Sequence, residues 1–177
     1  MKKLFKSNHK ISTRDKRNAK WKMGYRLQIG SKEMFADLIK LGFTPNKSLI
    51  VDFPKIPNNL LGDFVRGYFD GDGCIYFKQH FAKDRNKNRW IFTTRFTCGS
   101  RKFLESLHSS LNFVGGFIVK KERGYELVFS HRDSVALYNL MYHNNCRGLY
   151  LNRKHRLFHK AIKTLYGISN AGVAQFG

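Results

Sequence analysis

The sequence predicts an α+β fold in which helices cover one face of an antiparallel sheet. Short segments that alternate between apolar and polar residues occur in two pairs, and a polar turn separates the members of each pair. Apolar residues at helical spacing precede, separate and follow these pairs. The predicted order over residues 57–166 is therefore α-β-β-α-β-β-α-α. The 177 residues, 42% of them hydrophobic, are enough for one substantial domain with a core.

The first predicted helix is apolar, begins near Leu61 and ends at two aspartates. Gly71 and Gly73 can take the left-handed conformation that ends a helix, which leaves Asp70 and Asp72 at its C-terminus. Because a helix C-terminus carries partial negative charge, each acid there is unfavourable by roughly 0.3–1 kcal/mol. The pattern therefore predicts a compensating cation, and oxygen ligands suit Mg²⁺ or Ca²⁺.

The glycines of this helix predict a second helix packed against it. At about 100° per residue, Gly67 and Gly71 lie on one side, one turn apart, beside Phe64. Small residues at that spacing let another backbone approach closely. Two such helices would bring two aspartate-bearing ends together. In phosphodiester cleavage, two divalent ions a few ångströms apart can hold the attacking oxygen and the leaving oxygen.

The next predicted element is a hairpin of residues 74–81 and 89–98, joined by a polar and basic loop at 82–88. Its apolar face holds Ile75, Phe77, Phe81, Trp90, Phe92, Phe96 and Cys98. Its other face holds Tyr76, Lys78, His80, Ile91, Thr93, Arg95 and Thr97. A sheet divided in this way can pack helices on one side and lay side chains on DNA on the other.

A helix, a second hairpin and two further helices complete the predicted order. Ser100 is a suitable N-cap for the first of these helices, and the glycines at 115 and 116 end it. The second hairpin turns at Arg123 and Gly124. The hairpin and the two last helices are predicted at residues 117–129, 131–142 and 153–166.

The charge of the chain predicts a polyanionic partner. Lys and Arg number 33 against 12 Asp and Glu, a net charge of +21, which favours nucleic acid and leaves an anionic membrane surface as the alternative. No run of about 18 apolar residues is present, so no membrane span is predicted. Basic residues cluster at 1–26 and 147–163, where phosphate contacts or simple solubility explain them.

The cysteines predict a reducing environment. Cys74, Cys98 and Cys146 are odd in number and far apart, and no pair has the spacing of a zinc site. No secretory signal precedes them. The expected location is intracellular, in the cytoplasm or an organelle, and the protein is not expected to be secreted.

A fixed offset of 100 residues relates the start of the chain to its end. Residues 25–33 and 35–36 align with residues 125–133 and 135–136, with Tyr25 against Tyr125 and Leu27 against Leu127. Repeats at a constant offset indicate duplicated units. Residues 1–52 are therefore predicted to hold the back half of an earlier unit, a hairpin and a helix. The complete unit is predicted at 57–166, followed by a flexible tail at 167–177.

Residues 65–73, with the sequence VRGYFDGDG, resemble the LAGLIDADG motif of homing endonucleases. The resemblance implies an αββαββα repeat with a saddle-shaped antiparallel sheet in the DNA major groove, and motif helices packed at the centre of a two-fold or pseudo-two-fold molecule. It implies a sequence-specific double-strand DNA endonuclease that uses Mg²⁺ or Mn²⁺, of the kind associated with intron or intein mobility. Because one motif is present, it also implies a homodimer or a complementing chain, with no membrane and no small-molecule substrate.

The same resemblance implies the site residues. Asp72 would bind the metal, with the Gly71 carbonyl beside it and Asp70 in a supporting position. Lys154 resembles the active-site lysine, with Arg153 as its rival and a plain phosphate contact as the alternative. Ser100 resembles a polar site that positions water. DNA contacts are expected from Tyr76, Lys78, His80, Arg89, Thr93, Arg95, Lys120, Arg123 and Arg153, and helix packing from Phe64, Gly67 and Gly71.

Three other interpretations stay open at the level of the sequence. The D-x-D-G run could belong to a calcium loop, although the further ligands of an EF-hand are missing after Gly73. The helix could be a buried element with a solvated acidic end and no activity. The scaffold could also bind nucleic acid without cutting it, as an intron-RNA splicing cofactor or a DNA-binding regulator. Intact Asp70 and Asp72 favour the enzyme, because a pure binder needs no acids there.

Overall fold

The computed structural model describes residues 7–14, 23–43, 52–142, 146 and 148–167. The chain divides into two compact units, Met1–Leu41 and Gly42–Gly177. The predicted tail beyond residue 167 lies outside the described residues, as do the first six residues with their basic side chains. None of the described helices has the length and apolar character that crossing a bilayer requires.

The first unit contains a hairpin and a helix. Strands β1 (Ile11–Arg14) and β2 (Gly24–Leu27) pair in antiparallel fashion. Helix α1 (Lys32–Lys40) follows, and the Ser31 hydroxyl caps it by accepting a hydrogen bond from the Met34 amide at 3.1 Å. The origin of this unit by duplication stays a prediction.

The second unit has the predicted order of helices and strands. After a short 3₁₀ turn at Asn58–Leu60, it contains α2 (Leu61–Asp72), β3 (Gly73–Ala82), β4 (Lys87–Cys98), α3 (Arg101–Ser110), β5 (Phe117–Lys121), β6 (Gly124–Ser130), α4 (His131–Met141) and α5 (Asn152–Tyr166). The four strands form one antiparallel sheet in the order β3-β4-β6-β5. The predicted α+β fold with an αββαββα repeat is confirmed.

The core lies between one face of this sheet and the helices. Phe92 and Phe96 of β4 and Phe129 of β6 are fully buried on that face. The helices contribute the fully buried side chains Phe69, Leu104, Leu107, Leu137, Met141 and Phe158. Burial of each large apolar side chain contributes roughly 1.5–3 kcal/mol, so this shared core fixes how the helices sit on the sheet.

The predicted left-handed ends at Gly71 and Gly73 are wrong. Gly71 lies within α2, and Gly73 has φ −78° and ψ 157° because the chain passes from α2 directly into β3. Gly73 is required for space instead. A Cβ atom there would lie 2.3 Å from Phe69 Cδ2 and 2.6 Å from the Phe69 carbonyl oxygen. The helix and the strand are therefore joined with no intervening turn.

The tip of the first hairpin also departs from the prediction. Phe81 was expected on the apolar face but is 57% exposed, while Ala82 is buried. Residues 83–89 are exposed as well, so the end of this hairpin projects beyond the core. A short 3₁₀ turn at Lys83–Arg85 and a left-handed Asn86 join the strands. The periodicity of the strand thus continues past the residues that the helices cover.

Candidate active site

Lys154 of α5 caps the C-terminus of α2. Its Nζ donates hydrogen bonds to the carbonyl oxygens of Phe69, of Asp70 at 3.1 Å and of Gly73 at 2.6 Å. An ammonium group has three donors, and these carbonyls use all of them. Lys154 is 4% exposed, and burial, followed by repulsion from Arg153, lowers its pKa from the ordinary value. The cation that the acidic helix end predicts is therefore supplied, at least in part, by the chain itself.

Asp70 makes the reciprocal contact at the N-terminus of α5. Its Oδ2 accepts a hydrogen bond from the Leu151 amide at 2.9 Å. Leu151 is the N-cap residue of α5, and its own side chain makes no capping hydrogen bond. A carboxylate at a helix N-terminus is favourable, so α2 and α5 cap each other through Asp70 and Lys154. The other carboxylate oxygen, Oδ1, is buried and has no hydrogen-bond partner among the described residues.

Asp72, the last residue of α2, is exposed and lines an open groove of about 720 Å³. The groove wall includes Phe64, Gly67 and Tyr68 of α2, Thr97 and Cys98 of β4, and Arg123 of the second hairpin. Burial, then Cys98 and Asp72, raise the pKa of Tyr68, whose hydroxyl donates to the Thr97 carbonyl at 2.7 Å. Asp72 thus faces a partly apolar groove with an arginine at its edge.

The glycine side of α2 is open. Apart from its chain neighbours and the backbone of α2 itself, a Cβ atom at Gly67 or Gly71 would meet no atom of the described residues within 4 Å. Leu60, just before the helix, is 48% exposed, and Phe64 is half-buried. The three residues predicted to pack against a second helix therefore lie along one accessible helix side, and that side borders the groove that contains Asp72.

Ser100 and Arg153 occupy different surroundings. The Ser100 hydroxyl is buried and accepts a hydrogen bond from the Phe103 amide at 3.2 Å, which confirms it as the N-cap of α3. The structure therefore gives this hydroxyl a capping contact in a buried position, and its water-positioning role stays a prediction. Arg153 is exposed, next to the buried Lys154.

Most of the residues predicted to contact DNA share the sheet face opposite the core. Cross-strand pairs join Tyr76 to Thr93 and His80 to Arg89, and side chains in register point to the same face. This face, called the polar face below, includes Tyr76, Lys78, His80, Arg89, Thr93 and Arg95 from the predicted set. The structure brings these six residues together.

Lys120 lies on the other face, contrary to the prediction. It pairs with Tyr125, and Tyr125 pairs with Cys98 of β4. Cys98 lies two residues after the core residue Phe96, so all three paired residues lie on the core face of the sheet. Lys121, which pairs with Gly124, is the lysine of β5 on the polar face. Arg123 lies in the turn and lines the groove of Asp72 instead of the sheet surface.

A connected set of polar contacts organises the polar face. Arg95 Nε donates to Thr93 Oγ1 at 3.3 Å, and its guanidinium lies 5.8 Å from the centre of the Tyr76 ring. The Tyr76 hydroxyl is hydrogen-bonded to His80 Nε2. Glu126 Oε2 lies 3.9 Å from Arg95 Nη1 and 3.3 Å from Lys121 Nζ.

Two of these residues, Glu126 and Lys121, were missed from the sequence. The alternation of β6 places its apolar residues inward and therefore Glu126 outward, which was a usable signal. Arg66 was missed as well, with no sequence signal beyond a lone arginine in an apolar helix. It is 5% exposed and donates to the carbonyl oxygens of Met141 at 2.8 Å and Leu149 at 2.9 Å. Arg66 thereby ties α2 to the end of α4 and to the segment that leads into α5.

Comparison with known proteins gives structural likeness alone. No protein-family model and no curated protein matches the chain. It is similar to the homing endonuclease I-CvuI in complex with the I-CreI target, at 17% identity and a TM-score of 0.47, over 57% of this chain and 62% of that one. For the homing endonuclease I-TnaI the identity is 20% and the TM-score 0.42, over 58% and 69%.

A third similar structure is the I-SmaMI LAGLIDADG homing endonuclease bound to cleaved DNA, at 20% identity and a TM-score of 0.44, over 75% of this chain and 43% of that one. The chain thus spans between 43% and 69% of the length of these proteins. All three are homing endonucleases.

Proposed function

We propose that this chain is a DNA endonuclease of the LAGLIDADG type, which hydrolyses phosphodiester bonds with a divalent metal when two motif helices are brought together. The observation that carries the proposal is the surroundings of Asp72. An exposed carboxylate ends a helix whose glycine side is open, in a unit with a basic sheet face.

Duplex DNA is the partner that the charge distribution favours. The net charge of +21 attracts phosphates without regard to sequence. The polar face offers Lys78, Arg89 and Arg95, and such side chains hydrogen-bond guanine edges in the major groove. The face also carries Tyr76 and Thr93, which broaden the set of possible base contacts. Phosphate contacts position the duplex and these side chains read it.

The residues at the end of α2 fit a magnesium or manganese ion that is shared with DNA. Mg²⁺ is held by one or two carboxylates together with phosphate oxygens and water. Asp72 supplies one exposed carboxylate, and the Gly71 carbonyl is not among the three that Lys154 binds. The described residues contain no cluster of three or more His, Cys, Asp or Glu side chains that could hold an ion without such help.

A second motif helix completes the site. The glycine side of α2 can accept a close backbone approach, and a homodimer or a complementing chain would supply the helix. That contact would bring a second exposed aspartate next to Asp72. A strictly monomeric chain in light scattering, both alone and with DNA, would contradict this assembly.

The chemistry divides between the ion and the protein. A divalent metal held there would supply a water molecule of lowered pKa and positive charge to offset that of the phosphate. Asp72 would be a ligand of that ion, and the reciprocal caps hold Asp72 in place, because Lys154 and Asp70 fix the end of α2 against α5. With its donors saturated by carbonyls, Lys154 acts in this scheme by holding the helix end. Arg123, which lines the groove, can contact a phosphate there.

The test compares Asp72→Asn with Asp84→Asn, which makes the same chemical change in the exposed turn between β3 and β4. Each protein is incubated with Mg²⁺ and a library of randomised duplexes, and cleaved ends are sequenced. Asp72→Asn should keep DNA affinity and lose cleavage by about 100-fold or more, which corresponds to about 3 kcal/mol of barrier. Cleavage by Asp72→Asn at the wild-type rate would refute the assignment.

A non-catalytic nucleic-acid binder is the second candidate. The observation that favours it is the polar face itself, whose basic and aromatic side chains can bind nucleic acid without any residue at the end of α2. Such a protein would keep the polar face and have no need of Asp72. Tight binding of structured RNA, with no cleavage of duplex DNA by the wild-type chain, would favour this function.

The free thiols of Cys74, Cys98 and Cys146 agree with a reducing compartment as the proposed location, whichever of the two functions the protein has.

A further inference from the structure

Strands β3 to β6 lie wholly within the described residues. Among their residues, Glu126 is the only acid on the polar face. It pairs with Thr97 of β4 and Val119 of β5, and its side chain is 19% exposed. An acid on a surface that meets phosphates opposes binding by charge repulsion. Its position among cations therefore needs an explanation other than affinity.

The contacts of Glu126 supply that explanation. Its carboxylate lies between two cations from neighbouring strands, Arg95 Nη1 at 3.9 Å and Lys121 Nζ at 3.3 Å. These cations are themselves more exposed than the acid, with side chains 34% and 49% accessible. A partly buried negative charge between two more accessible cations favours orientations in which their donors point toward it.

Arg95 is the cation that this arrangement restrains most. Its Nε donates to Thr93 Oγ1 at 3.3 Å, its guanidinium lies 5.8 Å from the centre of the Tyr76 ring, and Glu126 approaches Nη1. One hydrogen bond to Thr93, the Tyr76 ring and the charge of Glu126, whose Oε2 makes no hydrogen bond among the described residues, thus surround the guanidinium from three strands and restrict its orientation. A guanidinium with a fixed fork can bind one base edge bidentately, whereas a mobile one binds any nearby phosphate.

We propose that Glu126 is a specificity-determining positioning residue, which lowers general affinity for DNA and holds Arg95 in the orientation that reads a base. The inference rests on the proposed DNA-binding function. It differs from direct base reading by Glu126, in which the carboxylate would itself accept a hydrogen bond from a cytosine amino group.

The experiment compares Glu126→Gln with Glu105→Gln. Both remove one negative charge, but Glu105 is an exposed residue of α3 that pairs with Arg101 away from the polar face. Each full-length protein selects from duplexes with a randomised central segment, and the enrichment at every position is sequenced. Glu126→Gln should bind unselected DNA about two-fold to five-fold more tightly and lose about ten-fold in discrimination at one or two base pairs. Glu105→Gln should select as the wild type does.

A double variant shows whether Glu126 acts through Arg95 or contacts a base itself. If Glu126 acts through Arg95, the base pairs affected in Glu126→Gln should be those affected in Arg95→Gln, and the double variant should select as Arg95→Gln does. Should Glu126→Gln be unstable in thermal unfolding, Arg95→Gln alone, at a side chain 34% accessible, still tests the proposal, because unchanged discrimination in Arg95→Gln would overturn it. A further loss in the double variant would overturn the proposal in favour of direct reading by Glu126.

The outcomes separate this inference from the proposed function. Unchanged discrimination in Glu126→Gln, beside a wild-type chain that selects a sequence, would overturn the inference alone. A wild-type chain that selects no duplex sequence would overturn the proposed function and the inference with it.

Discussion

Replacing Lys154 with methionine should remove the cap on α2 while keeping most of the side-chain volume. The change leaves the carbonyls of Phe69, Asp70 and Gly73 without their charged donor. Hydrogen bonds to charged groups contribute about 1.5–3 kcal/mol each. The three share one ammonium and do not add, and methionine also removes the cost of burying a charge. The free energy of unfolding should therefore fall by about 2–3 kcal/mol, in the range found when buried acceptors lose a charged donor.

The assay is urea unfolding followed by tryptophan fluorescence. The chain has two tryptophans, so a Trp21→Phe background leaves Trp90 of β4 as the reporter of the second unit. Lys160→Met is the matched control, because Lys160 is exposed on the same helix and the substitution changes composition and charge identically. Its effect should stay within about 0.5 kcal/mol.

The comparison between the two lysines decides whether the cap stabilises the fold. A loss below about 1 kcal/mol in Lys154→Met, equal to that of Lys160→Met, would refute the capping argument. The m-value of each variant should match that of the parent chain, since a changed slope would report a changed unfolded or native state instead of a lost contact.

Three further predictions follow from the same region and from α5. Gly73→Ala should lower the free energy of unfolding by about 2 kcal/mol in urea, because its Cβ would overlap the buried Phe69; an unchanged value would contradict the close contact. Gly67→Leu should weaken self-association at least ten-fold in sedimentation while the monomer stays folded, and undiminished association would exclude the glycine side as the interface. Burial, followed by His159, lowers the pKa of His155, so stability should decrease as the pH falls below about 6.5 through the lowered value. An NMR titration that gives an ordinary or raised pKa for His155 would contradict this.

Periodicity and capping residues were sufficient to predict most of the fold. The alternation of β4 identified Phe92 and Phe96 as core residues, and both are fully buried. Ser100 was recognised as an N-cap because a hydroxyl before an apolar helix can accept an amide hydrogen bond. These signals are local, since each depends on residues within one or two turns of the chain.

The contacts that shape the candidate site are not local, which is why the sequence did not reveal them. Lys154 is 84 residues from Asp70, and Asp70 is 81 residues from Leu151. No spacing rule connects such residues before the fold is known. The same limit applies to Lys120, whose face depends on which residue of β5 pairs with Tyr125. The motif identified the helix end correctly as acidic, but it could not indicate that part of the compensating charge comes from α5.

The two aspartates at this end should consequently affect stability with opposite signs. Asp70 accepts a hydrogen bond at the N-terminus of α5, so Asp70→Ala should cost about 1–2 kcal/mol of unfolding free energy. Asp72 is exposed at the C-terminus of α2, where a carboxylate opposes the helix dipole, so Asp72→Ala should gain up to about 1 kcal/mol in a chelator. Equal losses in both variants would contradict this division.

Adding Mg²⁺ should then make the parent chain more stable than Asp72→Ala, the reverse of their order in a chelator. An ion that binds only the folded chain stabilises it by an amount that grows with its concentration above the dissociation constant, about 2.7 kcal/mol at a hundred-fold excess. Thermal unfolding with DNA present should therefore show a Mg²⁺-dependent rise for the parent chain and for Asp84→Asn, and none for Asp72→Ala. If the rise survives in Asp72→Ala, the metal is held elsewhere. Asp72 would then be an exposed acid whose cost to the helix has no compensation from a cation.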